Sequence, residues 1–232
     1  MRTSKRSGLF SRPGAGAVRA ESAGHFMGTN RGDNIILIGF MGCGKTTVGR
    51  LLARQMHRRF LDLDCLIARR AGMSINAIFR GRGEGGFREL EHRAVRSLRG
   101  LRRRVIAAGG GAASHARNTP WLKAAGIIVY LRVPPRVLAT RLRRSSGRPV
   151  LAPAGGRSRA LLTLVGRLLR ARNRHYAKAD ITVDAWRHSP ARIAREVAGA
   201  VRGHLMDGSR PRPRLRPGRN RRGMRDMRQR GN

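Results

Sequence analysis

The sequence predicts an α/β fold in which a parallel β-sheet lies between two layers of helices. Short apolar runs rich in β-branched residues alternate along the chain with longer segments in which apolar residues recur at helical spacing. This alternation favours a parallel sheet that is covered on both faces. Apolar residues make up 40% of the 232 residues, which is enough to form a core. We therefore expect a three-layer α/β/α domain with five parallel strands.

The strands are expected at short apolar runs, because a strand that is buried on both faces reads as a continuous apolar segment. The first run, residues 34–38, is followed by Val48, Leu51, Leu52 and Met56 at the spacing of a helix. The remaining strands are expected at residues 60–64, 105–108, 127–131 and 181–184.

Helices are expected in the segments between these strands. One helix is expected to start at about Pro135, and another is expected to cover about residues 159–176. The last helix is expected to begin at Ser189 and Pro190, because serine is a preferred N-cap and proline is favoured in the first helical turn. Its buried stripe is expected to consist of Ile193, Val197, Val201 and Leu205.

The two ends of the chain differ from this folded region in composition. Residues 1–32 are rich in Gly, Ser and Arg, and residues 207–232 are rich in Arg and Pro. Both are expected to be disordered tails around a folded domain at residues 33–206. Met27 is a candidate translation start, and an Arg-rich, acid-poor targeting peptide is the alternative for the N-terminal tail.

The composition excludes some classes of protein and leaves others open. No run of 18 apolar residues occurs, so no membrane-spanning helix is expected. Two cysteines cannot form a disulfide framework or a Cys-only zinc site. The net charge of +39 suggests nucleic-acid binding, but aromatic residues make up only 4% and the arginines are spread along the chain. We expect only non-specific, salt-sensitive binding to nucleic acid.

A phosphate-binding loop is predicted directly after the first strand. Residues 39–46 read Gly-Phe-Met-Gly-Cys-Gly-Lys-Thr and fit the pattern G-x-x-x-x-G-K-[ST] between a strand and a helix. In such a loop, backbone N–H groups and the helix start hold phosphate oxygens. Lys45 can then reach the β- and γ-phosphates of a nucleotide, and Thr46 can hold Mg²⁺.

Two carboxylates follow the second predicted strand. Asp62 and Asp64 are two residues apart, so their side chains would point the same way if the strand stays extended. One of them can assist the metal while the other meets a hydroxyl group of the substrate. The alternative is a strand end that caps the next helix and has no part in a site.

Four more patterns complete a set that resembles the shikimate kinase family. Residues 83–91 read Gly-Glu-x-x-Phe-Arg-x-x-Glu, and residues 109–111 are three glycines. Residues 148–151 are similar to the family's lid motif, and Arg172 precedes Tyr176 by four residues, as a second carboxylate-binding arginine does in the family. The resemblance runs from residue 34 to residue 205. It implies the nucleoside-monophosphate-kinase type of P-loop fold.

The resemblance also implies an activity and a substrate site. Shikimate kinases transfer the γ-phosphoryl group of ATP to the 3-hydroxyl of shikimate. Asp64 would hold the substrate's hydroxyl groups and act as the base or close to it. Arg88 and Arg172 would clamp the shikimate carboxylate, which suits the donor fork of arginine. Gly110 would bind the substrate through its backbone.

For the nucleotide, the resemblance implies a site with Mg²⁺ and a mobile lid at residues 144–159. Thr46 would coordinate the metal directly and Asp62 would reach it through water. Arg148 in the lid and Arg141 before it would meet the nucleotide, and Lys45 and Arg148 would act in catalysis with Asp64. The expected nucleotide-binding residues are Gly42, Cys43, Gly44, Lys45, Thr46, Thr47, Arg141 and Arg148.

Other functions remain open at this point. A small-molecule P-loop kinase of the gluconate or nucleoside type would share the loop and the lid, but it would not need two arginines placed for a carboxylate. A basic nucleic-acid-associated protein and a kinase that has become a binding module are further alternatives. We expect a cytoplasmic, monomeric enzyme that uses ATP and shikimate and does not associate with membranes.

Overall fold

The computed structural model describes residues 33–143 and 158–208, and it confirms the predicted fold class. Five parallel strands form one sheet in the order β2-β3-β1-β4-β5. The strands are β1 Asn34–Ile38, β2 Arg59–Asp62, β3 Arg104–Ala107, β4 Ile127–Arg132 and β5 Ile181–Asp184.

Seven helices flank the sheet in the part of the chain that the structure describes, together with one 3₁₀ turn at Ala112–Ser114. The third helix changes direction at Gly83, where φ is 63° and ψ is −173°. The helices are α1 Lys45–Gln55, α2 Leu63–Ala71, α3 Ile75–Arg96, α4 Thr119–Ala125, α5 Pro135–Arg143, α6 Ser158–Tyr176 and α7 Pro190–Gly208.

The core has two halves, one on each face of the sheet. Because side chains alternate along a strand, Ile35 and Leu37 of β1 face one layer while Ile36 and Ile38 face the other. The first layer contains α1, α5, most of α6 and α7, and the second contains α2, α3 and α4. All five residues of β1 are at most 1% exposed, so the strand that leads into the phosphate-binding loop lies at the centre of the core.

The second strand is shorter than predicted. It ends at Asp62, and Asp64 lies in the first turn of α2. The prediction of one extended segment over residues 60–64 is therefore wrong. The reason is local: the side chain of Asp62 accepts hydrogen bonds from the backbone N–H groups of Asp64 and Cys65, so it caps a helix that starts one residue later.

Two other boundaries differ from the prediction. Leu205 was expected in the buried stripe of α7, but it is 38% exposed, whereas Ile193, Val197 and Val201 are buried. Residues 202–207 at the end of α7 are all exposed, so the buried stripe of this helix ends at Val201. Residues 158 and 159, placed in the predicted lid, belong to α6. The tails 1–32 and 209–232 and the rest of the lid, 144–157, lie outside the described residues.

None of the helices in the described part of the chain combines the length and the apolar character that crossing a lipid bilayer requires.

Candidate active site

The loop between β1 and α1 presents unpaired backbone N–H groups at a helix start. Gly44 is the N-cap of α1, with φ 99° and ψ 15°, and no side chain caps the helix. A residue with a Cβ would be strained at this φ. The first hydrogen bond of the helix joins Val48 N–H to the Gly44 carbonyl at 2.9 Å. The N–H groups of Lys45, Thr46 and Thr47 therefore have no acceptor within the helix, and they form an anion-binding end.

Lys45 is held over this loop by backbone carbonyl groups. Its ammonium group donates to the carbonyl oxygens of Gly39 at 2.9 Å and Phe40 at 3.2 Å. Cys43 is buried and its N–H group also donates to the Phe40 carbonyl, at 3.2 Å. The loop thus keeps its shape by itself, with a positive charge at its centre.

Arg141, at the end of α5, approaches the outer side of the same loop. Its Nη1 donates to the Gly42 carbonyl at 3.3 Å. The predicted nucleotide-binding residues of the loop and Arg141 are therefore close together in the structure. Arg148 lies outside the described residues.

Asp62 connects the phosphate-binding loop to the next helix. Its Oδ2 accepts a hydrogen bond of 2.8 Å from the Thr46 hydroxyl, while its Oδ1 accepts the N–H groups of Asp64 at 3.1 Å and Cys65 at 3.4 Å. Asp62 therefore caps α2, as one of the two sequence interpretations expects, and it also contacts the loop threonine; its role beside a metal stays a prediction. A hydroxyl and a carboxylate oxygen side by side form a hard-oxygen donor set of the kind that Mg²⁺ uses together with water and phosphate.

The three glycines after β3 lie where the side chains that the sequence predicts to bind substrate meet. A Cβ added to Gly109 would lie 2.6 Å from Asp64 Oδ1, and one added to Gly111 would lie 2.4 Å from Arg88 Nη1. A Cβ on Gly110 would lie 3.2 Å from the backbone nitrogen of Met41 in the phosphate-binding loop. A larger residue at any of the three positions would displace one of these neighbours, so the carboxylate, the guanidinium and the loop all surround residues 109–111.

Arg88 lies between two glutamates on the second half of α3. Its Nη2 is 2.8 Å from Glu84 Oε1 and its Nη1 is 3.0 Å from Glu91 Oε2. The Arg88 side chain is 16% exposed, Glu84 is 67% exposed and Glu91 is 1% exposed. Burial lowers the pKa of Arg88, but the two glutamates more than offset this and the pKa is raised overall. Arg88 is therefore a fixed cation beside residues 109–111.

Glu91 is a buried carboxylate that the sequence did not single out as a site residue. Burial raises its pKa despite the nearby Arg88, and Asp64 raises it further. Among the described residues, its Oε1 has no hydrogen-bond partner, and a Cβ on Gly109 would lie 3.1 Å from this atom. Glu91 therefore presents an acceptor toward the same space as Asp64. Its only signal in the sequence is its place at the end of the pattern at residues 83–91.

Arg172 and Tyr176, one turn apart on α6, both bind the backbone of Gly110. Arg172 Nη1 donates to the Gly110 carbonyl at 3.1 Å and the Tyr176 hydroxyl donates to it at 2.7 Å. The Arg172 guanidinium also lies 5.3 Å from the centre of the Phe40 ring, within the range of a cation–π contact. Tyr176 is fully buried, and burial raises its pKa to about 12. The hydroxyl therefore stays protonated and remains a donor.

These residues together form one site at the carboxyl ends of β1, β2 and β3, where ligands bind in open α/β sheets. On one side is a helix start with Lys45, suited to phosphate groups. On the other side are one carboxylate, Asp64, and two guanidinium groups, Arg88 and Arg172. The arrangement can hold a nucleotide's phosphates opposite a small acid that carries hydroxyl groups.

Comparison with known protein sequences identifies similar proteins. The family model described as shikimate kinase matches residues 41–202. Shikimate kinase from Geobacter sulfurreducens is 45% identical over 173 residues, which cover 75% of this chain and 93% of that protein. Shikimate kinase from Moorella thermoacetica is 41% identical over 172 residues, covering 74% and 96% of the two chains.

Solved structures show the same relationship. Shikimate kinase from Acinetobacter baumannii in complex with shikimate has a TM-score of 0.70 and 34% identity, and the match covers 78% of this chain and 97% of that one. Shikimate kinase from Aquifex aeolicus has a TM-score of 0.65 and 33% identity, covering 75% and 98%.

Proposed function

Because this chain belongs to the shikimate kinase family, we propose that it phosphorylates shikimate at the site on the carboxyl edge of its sheet. The reaction transfers the γ-phosphoryl group of ATP to the 3-hydroxyl of shikimate and yields shikimate 3-phosphate and ADP, a step of aromatic amino-acid biosynthesis. The observation that carries the proposal is that Asp64, Arg88 and Arg172 all border residues 109–111, next to the phosphate-binding loop.

The shikimate carboxylate is assigned to Arg88 and Arg172. These guanidinium groups lie beside Gly111 and Gly110 respectively, so they flank the same short stretch of backbone. Glu84 is exposed and can release Arg88 toward a ligand, whereas the buried Glu91 stays in place and holds the guanidinium in position. Charge-assisted, bidentate bonds from arginine suit a planar carboxylate, which supports a carboxylic acid as the substrate.

The hydroxyl groups of shikimate are assigned to Asp64. Its Oδ1 borders Gly109, and a carboxylate there can accept hydrogen bonds from two neighbouring hydroxyls. As the 3-hydroxyl attacks, Asp64 takes its proton or holds the hydroxyl in line with the γ-phosphorus. Transfer of this kind depends mainly on positioning and charge neutralisation, which these residues supply.

The phosphates of ATP are assigned to the start of α1. The N–H groups of Lys45, Thr46 and Thr47 would bind phosphate oxygens, and the Lys45 ammonium would exchange the Gly39 and Phe40 carbonyls for the β- and γ-phosphates. Gly42, Cys43 and Gly44 would contribute backbone groups.

Mg²⁺ would be held by Thr46 directly and by Asp62 through water, and it would neutralise charge on the β- and γ-phosphates. No cluster of three or more His, Cys, Asp or Glu side chains within residues 33–143 and 158–208 is arranged for a metal. This fits an ion that is held chiefly by phosphate oxygens and water.

Two arginines outside the centre of the site are assigned to the nucleotide. Arg141 borders Gly42 and would lie along the bound nucleotide. Arg148 would meet the transferring phosphoryl group from the lid, a role that rests on the family resemblance. Replacement of Arg148 by alanine is expected to lower kcat more than it raises the KM for shikimate.

The experiment that tests the proposal is a coupled ADP-release assay on the full chain. Shikimate, gluconate and nucleoside monophosphates are offered as acceptors, and Asp64→Asn and Arg88→Lys are compared with Arg167→Gln, which changes an exposed arginine of α6. We expect activity with shikimate alone, a loss of kcat in the Asp64 variant and a higher KM for shikimate in the Arg88 variant. Turnover only with another acceptor would refute the proposal.

We further propose that the enzyme is a cytoplasmic monomer and that its contact with nucleic acid is only electrostatic. A surface with this excess of arginine attracts phosphate backbones without reading their sequence. Light scattering after size exclusion tests the monomer. RNA binding that persists in high salt would contradict the electrostatic interpretation.

A further inference from the structure

A second group of arginines lies at the opposite edge of the sheet from the active site. The residues directly before β1, β2 and β3 are Asp33, Arg58 and Arg103 respectively. These three strands are neighbours in the sheet, in the order β2-β3-β1. The three side chains therefore start from the amino ends of adjacent strands. Strands of four or five residues separate this edge from the carboxyl edge by roughly 15 Å, so the two groups of residues do not share a ligand.

These residues surround a cavity, which we call the basal cavity. Its volume is about 510 Å³, within the usual range for pockets that bind small molecules. Arg202 of α7 closes one side, and residues 56–58 after α1 close another. The lining consists of Asp33, Met56, His57, Arg58, Arg102, Arg103 and Arg202.

Positive charge in the basal cavity exceeds negative charge by a wide margin. Four arginines line it, against Asp33 as the single carboxylate. The Asp33 carboxylate pairs with Arg102 at 2.8 Å, and Arg58 donates to the Asp33 backbone carbonyl. Across the described ranges 33–143 and 158–208, the Arg103 and Arg202 side chains form no ion pair with a carboxylate.

The backbone that carries Arg58 and Arg103 is held in place, although their side chains repel each other. Arg103 N–H donates to the Asp33 carbonyl at 3.0 Å, and Arg59 N–H donates to the Arg103 carbonyl at 3.1 Å, so these two side chains start from adjacent, hydrogen-bonded strand ends. Burial lowers the pKa of Arg58, and the nearby Arg103 lowers it further, which the attraction of Asp33 does not offset. A bound anion would relieve this repulsion.

We propose that the basal cavity binds a compact anion with two or more phosphate groups, separately from the ATP of the active site. Arginine forks are suited to phosphate oxygens, and the cavity has room for a short polyphosphate chain. No Phe, Tyr or Trp lines it, so it lacks the stacking surface that nucleic acids use. The ligand is therefore a free polyphosphate or the polyphosphate end of a nucleotide.

The test is isothermal titration of the full chain in the presence of excess AMP and shikimate 3-phosphate, which fill the active site but carry one phosphate group each and so leave the basal cavity free for polyphosphate. Inorganic tripolyphosphate is titrated at physiological salt into the wild type and two double variants. Arg103→Gln with Arg202→Gln removes two charges from the basal cavity. Arg69→Gln with Arg167→Gln removes the same charge from exposed helix positions away from the basal cavity.

We expect one saturable site in the wild type and in the control pair, and binding weakened about tenfold or more in the basal-cavity pair, because each lost arginine removes a charge-assisted hydrogen bond. Kinase activity should be unchanged in both pairs, which shows that they fold. Titration with CTP in place of tripolyphosphate distinguishes the two sources: tighter binding of CTP identifies a nucleotide, and weaker binding a free polyphosphate. The absence of a site, or equal weakening in both pairs, would overturn the proposal.

Discussion

The three glycines after β3 provide the sharpest test of the active site. Replacement of Gly109 by alanine adds one methyl group, which would lie 2.6 Å from Asp64 Oδ1. The backbone of Gly109 does not have a positive φ, so alanine is compatible with its conformation. The variant therefore displaces the Asp64 carboxylate and, by a few tenths of an ångström, the Glu91 carboxylate, and its added methyl group meets no atom of the phosphate-binding loop among its nearest neighbours.

The size of the effect follows from the distances. An ordinary contact of a Cβ begins at 3.4 Å, and the added methyl group would lie 2.6 Å from Asp64 Oδ1. The Asp64 carboxylate must therefore move away by about 0.8 Å, a displacement large enough to affect a reacting group. A shift of about 1 Å can lower the rate about 100-fold. We therefore expect kcat/KM for shikimate to fall between about tenfold and 100-fold, or about 1.4 to 2.7 kcal/mol.

The assay is ADP release at varied shikimate and fixed ATP, followed by the reverse arrangement. The KM for ATP should stay within about twofold of the wild type, because nucleotide contacts are assigned to a separate loop. Gly85→Ala is the matched control: a methyl group there meets nothing within 4 Å, and on a helix it should add about 0.5–1 kcal/mol of stability. Unchanged shikimate kinetics in a folded Gly109→Ala enzyme would refute the assignment of Asp64.

Three further variants test the surroundings of the site. Burial raises the pKa of Glu91 above its ordinary 4.5, so the protonated carboxyl group stabilises the folded protein below pH 4.5 and this contribution is lost as the pH rises through the raised pKa. In urea titrations over this pH range, the free energy of unfolding of the wild type should fall relative to that of Glu91→Gln. Parallel plots of unfolding free energy against pH for the two proteins would contradict this. Tyr176→Phe removes the 2.7 Å bond to Gly110 and should cost about 0.5–1.5 kcal/mol of unfolding free energy, with a higher KM for shikimate. Asn34→Ala removes three hydrogen bonds at the base of β1 and should cost about 3–5 kcal/mol in denaturant unfolding without changing either KM.

Much of the fold could be predicted because its signals are local and strong. The apolar run at residues 34–38 and the glycine-lysine pattern after it define β1, the loop and the start of α1 within a dozen residues. The boundary at Asp62 could not be predicted from strand periodicity, because the same side chain can extend a strand or cap a helix. In the structure it caps the helix, and its second oxygen accepts a hydrogen bond from the Thr46 hydroxyl, 16 residues away, a contact that strand periodicity does not reveal.

The site was harder to predict than the fold, because arginine is so frequent along the chain that the arginines of the site do not stand out. Arg88 and Arg172 stand among many arginines of similar local sequence, and only the family resemblance singled them out. The structure distinguishes them by surroundings, since Arg88 is held by a buried glutamate and Arg172 by the Gly110 carbonyl. Arg103 and Arg202 belong to no sequence motif. They come together only through tertiary packing, in which α1 contacts both α7 and β3.

The two hydrogen-bonding roles of Asp62 restrict which sequence changes this enzyme can accept. One oxygen of its carboxylate reaches the loop threonine, and the other sets where α2 begins and therefore where Asp64 stands. Asparagine in its place would keep one acceptor oxygen and would lose the other. Substitutions at position 62 should thus show strong epistasis with both Thr46 and Asp64, and the nucleotide half and the acceptor half of the site cannot drift independently of each other.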